Sequence, residues 1–534
     1  MSLLCRDQFL RVGKFVLMSL ALVFVSYGHV PKSSAQQIRV VPSISVLEQY
    51  DSNVFFTPKS QLAAGTKADD LITTFTPQLN FMQGNNLVKT NLSLGAIVQK
   101  FAHNSELDNV GFNASAGVDL SQSVNRILPR MKAFRIFGTY QYSPSASAFG
   151  AGGLGGGVGV GGGGGFGMGG IGISGPIDSG LLTQRIRTTM YSAGLADSYS
   201  LSPTTDFQTT YTYSQLSFGG SFTPTSSTTG QAPTVFDTST HAITAGPTSR
   251  ITAIDTLTVK YMFTQTSQAQ FGDYTMHGGN VGWGRAWTKE LSSSLNGGLT
   301  LIEPIPDSSA VGGQRRVPAT MFPTGGFSLT YASGSSFLRK LGSDIQEVTG
   351  ASGSSSMGGN FLPILSGMNM PGGIAAPGSY RITLLYNLGV FPSFVQSAGP
   401  IYTHTVSLAS AAGITDKLTA QGLFNVARST FTSDTIGTTF TTYGTTVSLN
   451  YLITPTFTAR LSHQWLMFDN QTSGLSSGDL GFSKHVILLG FTYAYAPRGD
   501  FFRSGAFWEG ASGVSSSADA GAGKSGSGGV DTKK

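Results

Sequence analysis

Cysteine is almost missing from this chain. Cys5 is the only one in 534 residues, and it precedes the N-terminal apolar stretch, where a lipoprotein attachment cysteine would have to follow it. The rest of the chain therefore has no thiol for a disulfide, a cysteine-based zinc site or a C-x-x-C-H haem attachment. Charge is scarce too, at 11% of residues, which excludes a charged disordered tail. A mean hydropathy of +0.05 and 71 glycines also set the chain apart from a typical soluble domain. Long apolar runs are absent beyond Tyr27, which excludes a bundle of membrane helices of about 20 apolar residues each. Basic runs are absent as well. With Lys and Arg scattered, nothing tracks a phosphate backbone, and no nucleic-acid partner is expected.

The single apolar stretch, Phe15 to Tyr27, follows Arg6, Arg11 and Lys14 and precedes Ser33-Ser34-Ala35. That order is a secretory leader, with cleavage between Ala35 and Gln36. The alternative is an N-terminal anchor, for which the stretch falls short of the ~20 residues of a spanning helix. Removing residues 1–35 lowers the net charge from +6 to +3, so the sequence pI of 9.2 overstates the basicity of the mature protein.

What the chain does have is alternation. Phe457, Ala459 and Leu461 interleave with Thr458, Arg460 and Ser462. Leu257, Val259, Tyr261 and Phe263 interleave with Thr256, Thr258, Lys260 and Thr264, and Leu418, Ala420, Phe424 and Val426 with Lys417, Thr419, Gln421 and Asn425. Ile487, Leu489, Phe491, Tyr493 and Tyr495 form a further apolar set. A strand turns successive side chains to opposite faces, so each such stretch faces two different solvents.

A soluble sandwich would show the same period, but three features favour a membrane barrel. Candidate strands run to roughly 10–14 residues, nearer a tilted membrane strand than the ~5–6 of soluble sheets. Aromatics gather toward strand ends, as in Tyr493 and Tyr495, Trp465 and Phe468, and Trp283 and Trp287. Connections alternate between short and long, the asymmetry of periplasmic turns and extracellular loops. The short ones near 201, 251, 413 and 452 form a weak repeat, a small polar turn followed by an apolar residue that opens the next strand.

Candidate strands number seventeen from residue 38 to 496, one of them spanning 109–124. Between the N-terminal and C-terminal sets lie "SSFLRKLGS" and "YRITLLYNLGVF", and only one of the two preserves the parity of the turns. The expected fold is all-β, a transmembrane antiparallel up-and-down β-barrel of about 18 strands (16–20), an even number as single-chain bacterial barrels require. Residues 36–497 would form it, with glycine-rich loops at 149–175 and 342–379, followed by a flexible polar tail at 498–534.

Reactive constellations are absent. Gly157, Gly159 and Gly162 satisfy G-x-G-x-x-G, but any glycine tract does, and no parallel strand or helix flanks them. "GAGKSGSGG" lacks the first glycine of a phosphate loop, having Ala518 there. Met357, Met368 and Met370 lie in the second glycine-rich segment, where a mobile loop explains them better than a metal site. The seven histidines stand apart, without the i, i+4 pairing or carboxylate neighbour of a zinc site. No catalytic residue, cofactor or metal is expected. Lys89, Lys260, Lys417 and Arg460 fall on the polar phase and are candidates to face a lumen, where they would favour anions or pair with carboxylates.

The segment Arg39 to Phe81 carries Pro42, Tyr50, Asp51, Asn53, Asp70, Ile72 and Pro77. Here a Pro-x-[IL] strand leads into Tyr-Asp-x-Asn, and an Asp-x-[IL] stretch leads into a second Pro-x-[IL] strand. It resembles the opening of outer-membrane β-barrel porins, a family that includes proteins associated with exopolysaccharide and PEP-CTERM gene clusters. The resemblance implies an outer-membrane barrel serving surface polysaccharide, and it carries no catalytic residue. Asp51 and Asn53 suit either a Ca²⁺ site or a strand-ending Asx-turn, the cheaper explanation.

The expected function is thus a porin-like diffusion channel in the outer membrane of a Gram-negative bacterium, in contact with lipid, with polysaccharide or small solutes as cargo. A plugged surface structural or adhesion protein and an outer-membrane enzyme with dispersed Ser and His residues are the alternatives.

Overall fold

The computed structural model describes residues 37–55, 62, 67–84, 87–147, 185–219, 237–268, 273–304, 319–333, 377–391, 401–431, 439–454, 456–471 and 481–495. Among them are β1 (Gln37–Asp51), β2 (Asp70–Gly84), β3 (Lys89–Phe101), β4 (Asn109–Asp119), β5 (Met131–Ser147) and β6 (Arg185–Ser202). There follow β7 (Thr205–Gly219), β8 (Thr238–Arg250), β9 (Asp255–Gln268), β10 (Tyr274–Ala286), β11 (Leu291–Pro304) and β12 (Thr320–Ser333). The series ends with β13 (Tyr380–Phe391), β14 (Ile401–Gly413), β15 (Leu418–Phe431), β16 (Thr439–Thr454), β17 (Phe457–Gln471) and β18 (Phe482–Ala494).

Each strand pairs antiparallel with its neighbours in the chain, and β18 pairs with β1, so the 18-stranded sheet closes on itself. Closure gives every strand a hydrogen-bonding neighbour on both sides, the condition for a sheet to cross hydrocarbon. The expected strand number and topology are therefore those observed. "YRITLLYNLGVF" is β13. "SSFLRKLGS", the leader, the 149–175 segment, most of 342–379 and the 498–534 tail lie outside the described residues.

The 109–124 candidate is corrected. β4 stops at Asp119, and Ser121–Ile127 forms a short helix, α1, ahead of β5. The reason is local. The Asp119 carboxylate accepts the Ser121 N–H at 2.9 Å and turns the chain, while the Ser121 hydroxyl accepts the Phe134 N–H at 2.9 Å from β5.

Turn chemistry gathers at one end, where β1 begins and β18 finishes. Thr252, Thr288 and Thr415 sit at equivalent places in the β8–β9, β10–β11 and β14–β15 connections. In each, the threonine hydroxyl accepts the N–H groups two and three residues ahead, at 3.2 and 3.0 Å for Ile254 and Asp255, 3.1 and 3.0 Å for Glu290 and Leu291, and 3.2 and 3.0 Å for Lys417 and Leu418. Groups that a tight turn would leave unpaired are thus satisfied within it. Two still shorter turns use Ser202 and Thr454, whose hydroxyls accept from Thr204 and Thr456. The long β12–β13 connection, residues 334–379, leaves from this same end.

Candidate functional site

The two faces of the wall differ in the sense the alternation predicts for a membrane barrel. Outward stand large apolar side chains with high exposure, among them Leu461 at 49%, Leu489 at 45% and Val281 at 52%. Inward stand Thr74, Thr264, Thr383, Ser407 and Ser462, all buried. A soluble sandwich has the opposite polarity, so the sheet's outer solvent is hydrocarbon, and the chain is a bacterial outer-membrane β-barrel.

Inner hydroxyls bridge directly opposed residues of neighbouring strands. Thr403 and Ser429 lie 2.9 Å apart, Ser294 and Ser328 2.7 Å, Thr139 and Ser192 2.7 Å, Thr330 and Thr383 3.2 Å, and Ser45 and Thr492 2.8 Å. Such pairs tie strand to strand on a face with little apolar bulk to pack.

The four cationic candidates occupy different settings. Lys260 lies buried on the inner face of β9 and donates to Gln208 Oε1 on β7 at 3.2 Å. Arg460 shares its face of β17 with buried Ser462. Lys89 is the exposed first residue of β3, on the same side as buried Ser93. Lys417 lies in the turn one residue ahead of β15, its N–H on the Thr415 hydroxyl. Sequence reasoning passed over Arg381, whose side chain is buried on the inner side of β13, and Lys484 on β18. Both sit on the buried phase of their strands, and that phase was the available signal.

The interior is not uniformly polar. Leu47, Val486, Leu488, Phe468 and Phe482 line the inner side of β1, β17 and β18, and the rings of Phe468 and Phe482 stack at 5.5 Å. Phe468, expected among the interfacial aromatics, is thus turned inward. It is in phase with Ser462, whereas Trp465 is in phase with exposed Leu461. Parity decides the face and residue type does not.

The Tyr-Asp-x-Asn motif lies at the closing seam. Asp51 accepts the Asn53 N–H at 3.0 Å, the Asx-turn geometry, and its other oxygen takes the Lys484 ammonium of β18 at 2.7 Å. Side-chain exposures of 8% for Lys484 and 4% for Asp51 make this a buried pair. Asp70 does parallel work one strand on, accepting Leu71 N–H at 2.8 Å, His103 N–H at 3.0 Å, and Asn104 N–H and Nδ2 at 2.9 and 2.8 Å. These bonds fold the β3–β4 connection over a small core of Val54, Phe55, Ile72, Phe101 and Leu107. Among the described residues no cluster of three or more His, Cys, Asp or Glu could hold a metal.

Comparison with solved structures returns outer-membrane proteins. The outer membrane protein opdK from Pseudomonas aeruginosa is 11% identical, covering 86% of this chain and 99% of that one, with a TM-score of 0.38. OccAB2 from Acinetobacter baumannii is 9% identical over 86% of this chain and 98% of its own, with a TM-score of 0.39. The copper transporter OprC is 9% identical, covers 86% and 83%, and also has a TM-score of 0.39. Likeness at this level carries no argument about cargo. No protein-family profile matches the chain, and no curated protein does. None of these findings bears on the exopolysaccharide association that the N-terminal resemblance implies.

Proposed function

We propose that this barrel is a porin-like diffusion channel for small solutes. The observation that carries the reading is the wall itself, a closed ring of 18 strands whose inner face is set with hydroxyls and with Lys260, Arg381, Arg460 and Lys484. A ring of that strand number encloses more space than side chains alone fill, as eight-stranded barrels do not. A surface polysaccharide is the narrower form of this reading and rests on the resemblance of Arg39 to Phe81 alone.

One observation favours a second reading, a plugged surface protein. Inner side chains such as Thr266, Ser407 and Leu488 have almost no exposure, at 0%, 1% and 1%.

Single-channel recording of the purified mature protein in planar bilayers separates the two, beside a variant lacking residues 149–175, part of the β5–β6 connection at the end opposite the threonine turns. Discrete conductance steps support the channel, and larger steps in the deletion make that segment its constriction. Silence from both, with folding verified by heat-dependent gel mobility, supports the plugged protein.

A further inference from the structure

Five histidines scattered through the sequence share one zone of the barrel. His241, His277, His404 and His485 are each the fourth residue of a strand, in β8, β10, β14 and β18, that starts at the end opposite the threonine turns. His463 of β17 joins them beside His485. Alternation turns all five outward, in phase with exposed Ile243, Val281, Val406, Ile487 and Leu461.

Three of them are held by a tyrosine of the preceding strand. Tyr211, Tyr261 and Tyr386 place their hydroxyls 2.9, 2.8 and 3.1 Å from Nδ1 of His241, His277 and His404. The rings of Tyr213, Phe263 and Tyr402 pack at 4.7, 5.1 and 5.3 Å from the same imidazoles. Phenol is the stronger acid of each pair and imidazole the stronger base, so the hydroxyl donates to Nδ1 and the proton of the neutral ring resides on Nε2. With Nδ1 taken by the tyrosine, Nε2–H is the donor each of these rings turns outward.

The position of the ring relative to the apolar band says what that donor meets. Ten residues further along each of the four chain segments stand Ile251, Trp287, Ile414 and Tyr495, all exposed. Ten strand residues rise about 34 Å, and at a tilt of ~40° they span about 26 Å of membrane, the height of the apolar band of such barrels. The histidines therefore mark the border on the extracellular side, and Trp287 and Tyr495 the border on the periplasmic side. Arg428, exposed on β15 directly opposite His404, adds a fixed positive charge. The nearest acid on this face by register is Glu303, opposite Thr275 and two residues from the partner of His277.

We propose that this zone is a seat for the phosphate groups of phosphorylated lipids in the outer leaflet, the Nε2–H of His241, His277 and His404 each donating to a phosphate oxygen. The proposal rests on the membrane barrel and not on whether the lumen conducts.

The test uses full-length mature protein reconstituted in phosphatidylcholine vesicles that contain a minor fraction of phosphatidic acid, then extracted, washed and assayed for retained lipid by class. The wild type is expected to retain phosphatidic acid in excess of the supplied ratio. The triple variant His241→Phe, His277→Phe, His404→Phe, which keeps the aromatic stacking, is expected to lose that excess while keeping its heat-dependent mobility. Replacing Tyr211, Tyr261 and Tyr386 with Phe leaves the imidazoles in place but releases their tautomer, and this variant should lose part of the excess even if the first fails to fold. Retention by the wild type in the supplied ratio, or undiminished excess in a folded triple variant, overturns the proposal.

Discussion

Asp51 and Lys484 join the first strand to the last, and their burial makes each the condition of the other. Removing one partner leaves an uncompensated charge in the wall, which costs about 3–5 kcal/mol, whereas replacing both with apolar residues of similar size is near neutral. Asp51→Leu alone and Lys484→Met alone should therefore lower the urea midpoint of the barrel strongly, and the double variant should recover most of the loss. A double variant as unstable as either single one would show that the pair is not what holds the seam. A milder effect is expected at Asp108 in the exposed β3–β4 connection. The Lys100 ammonium at 2.6 Å and the Phe101 N–H at 2.8 Å hold its carboxyl below the usual carboxylate range. A depressed folded-state value means that the carboxylate's contribution is in place above the ordinary Asp range and fades as pH falls through the lowered value. Amide exchange of Phe101 should accelerate on acidification in the wild type beyond the intrinsic trend and lose that excess in Asp108→Asn.

At the scale of elements, the alternation located the strands because each must satisfy two solvents at once, and a one-residue slip would exchange its faces. What it missed has physical causes. The end of β4 depends on the Asp119 carboxylate folding back on Ser121, which competes with alternation over a few residues. The threonine turns were partly legible, through the stretches at 251 and 413. The "WTKE" copy at 287 repeats the same arrangement, with Trp287 where the others have Ile251 and Ile414, and only the structure sets it beside them. The histidine zone was not legible at all, since its members lie on strands whose mutual height only register reveals. Thr252→Ala and Thr415→Ala should each destabilise by about 1 kcal/mol, as loss of a turn or cap hydroxyl does. In combination they should add, since they sit in separate hairpins. Serine at either site should retain most of the stability, because it keeps the hydroxyl.

For the whole molecule, the account rests on one claim, that the sheet is closed with its apolar face in lipid. Charge on that face should be costly in proportion to depth. Leu461→Arg, opposite Leu489 and so between the levels of His485 and Tyr495, is expected to cost ~2–4 kcal/mol in a folding assay into vesicles, and an Arg placed at exposed Ile414, in the turn at the rim, far less. The inner polar phase gives the barrel its candidate channel wall, and the apolar inner seam of Leu47, Val486, Leu488, Phe468 and Phe482 shows that a polar interior is a tendency of the alternation and not a rule. The most direct measurement uses the absence of cysteine beyond residue 5. Single cysteines are introduced in turn at Thr458, Ala459, Arg460, Leu461 and Ser462, each carrying an environment-sensitive fluorophore, in vesicles whose acyl chains bear bromine. The account predicts quenching with a period of two, strong at 459 and 461 and weak at 458, 460 and 462. Quenching with no alternation, or in the opposite phase, would contradict it.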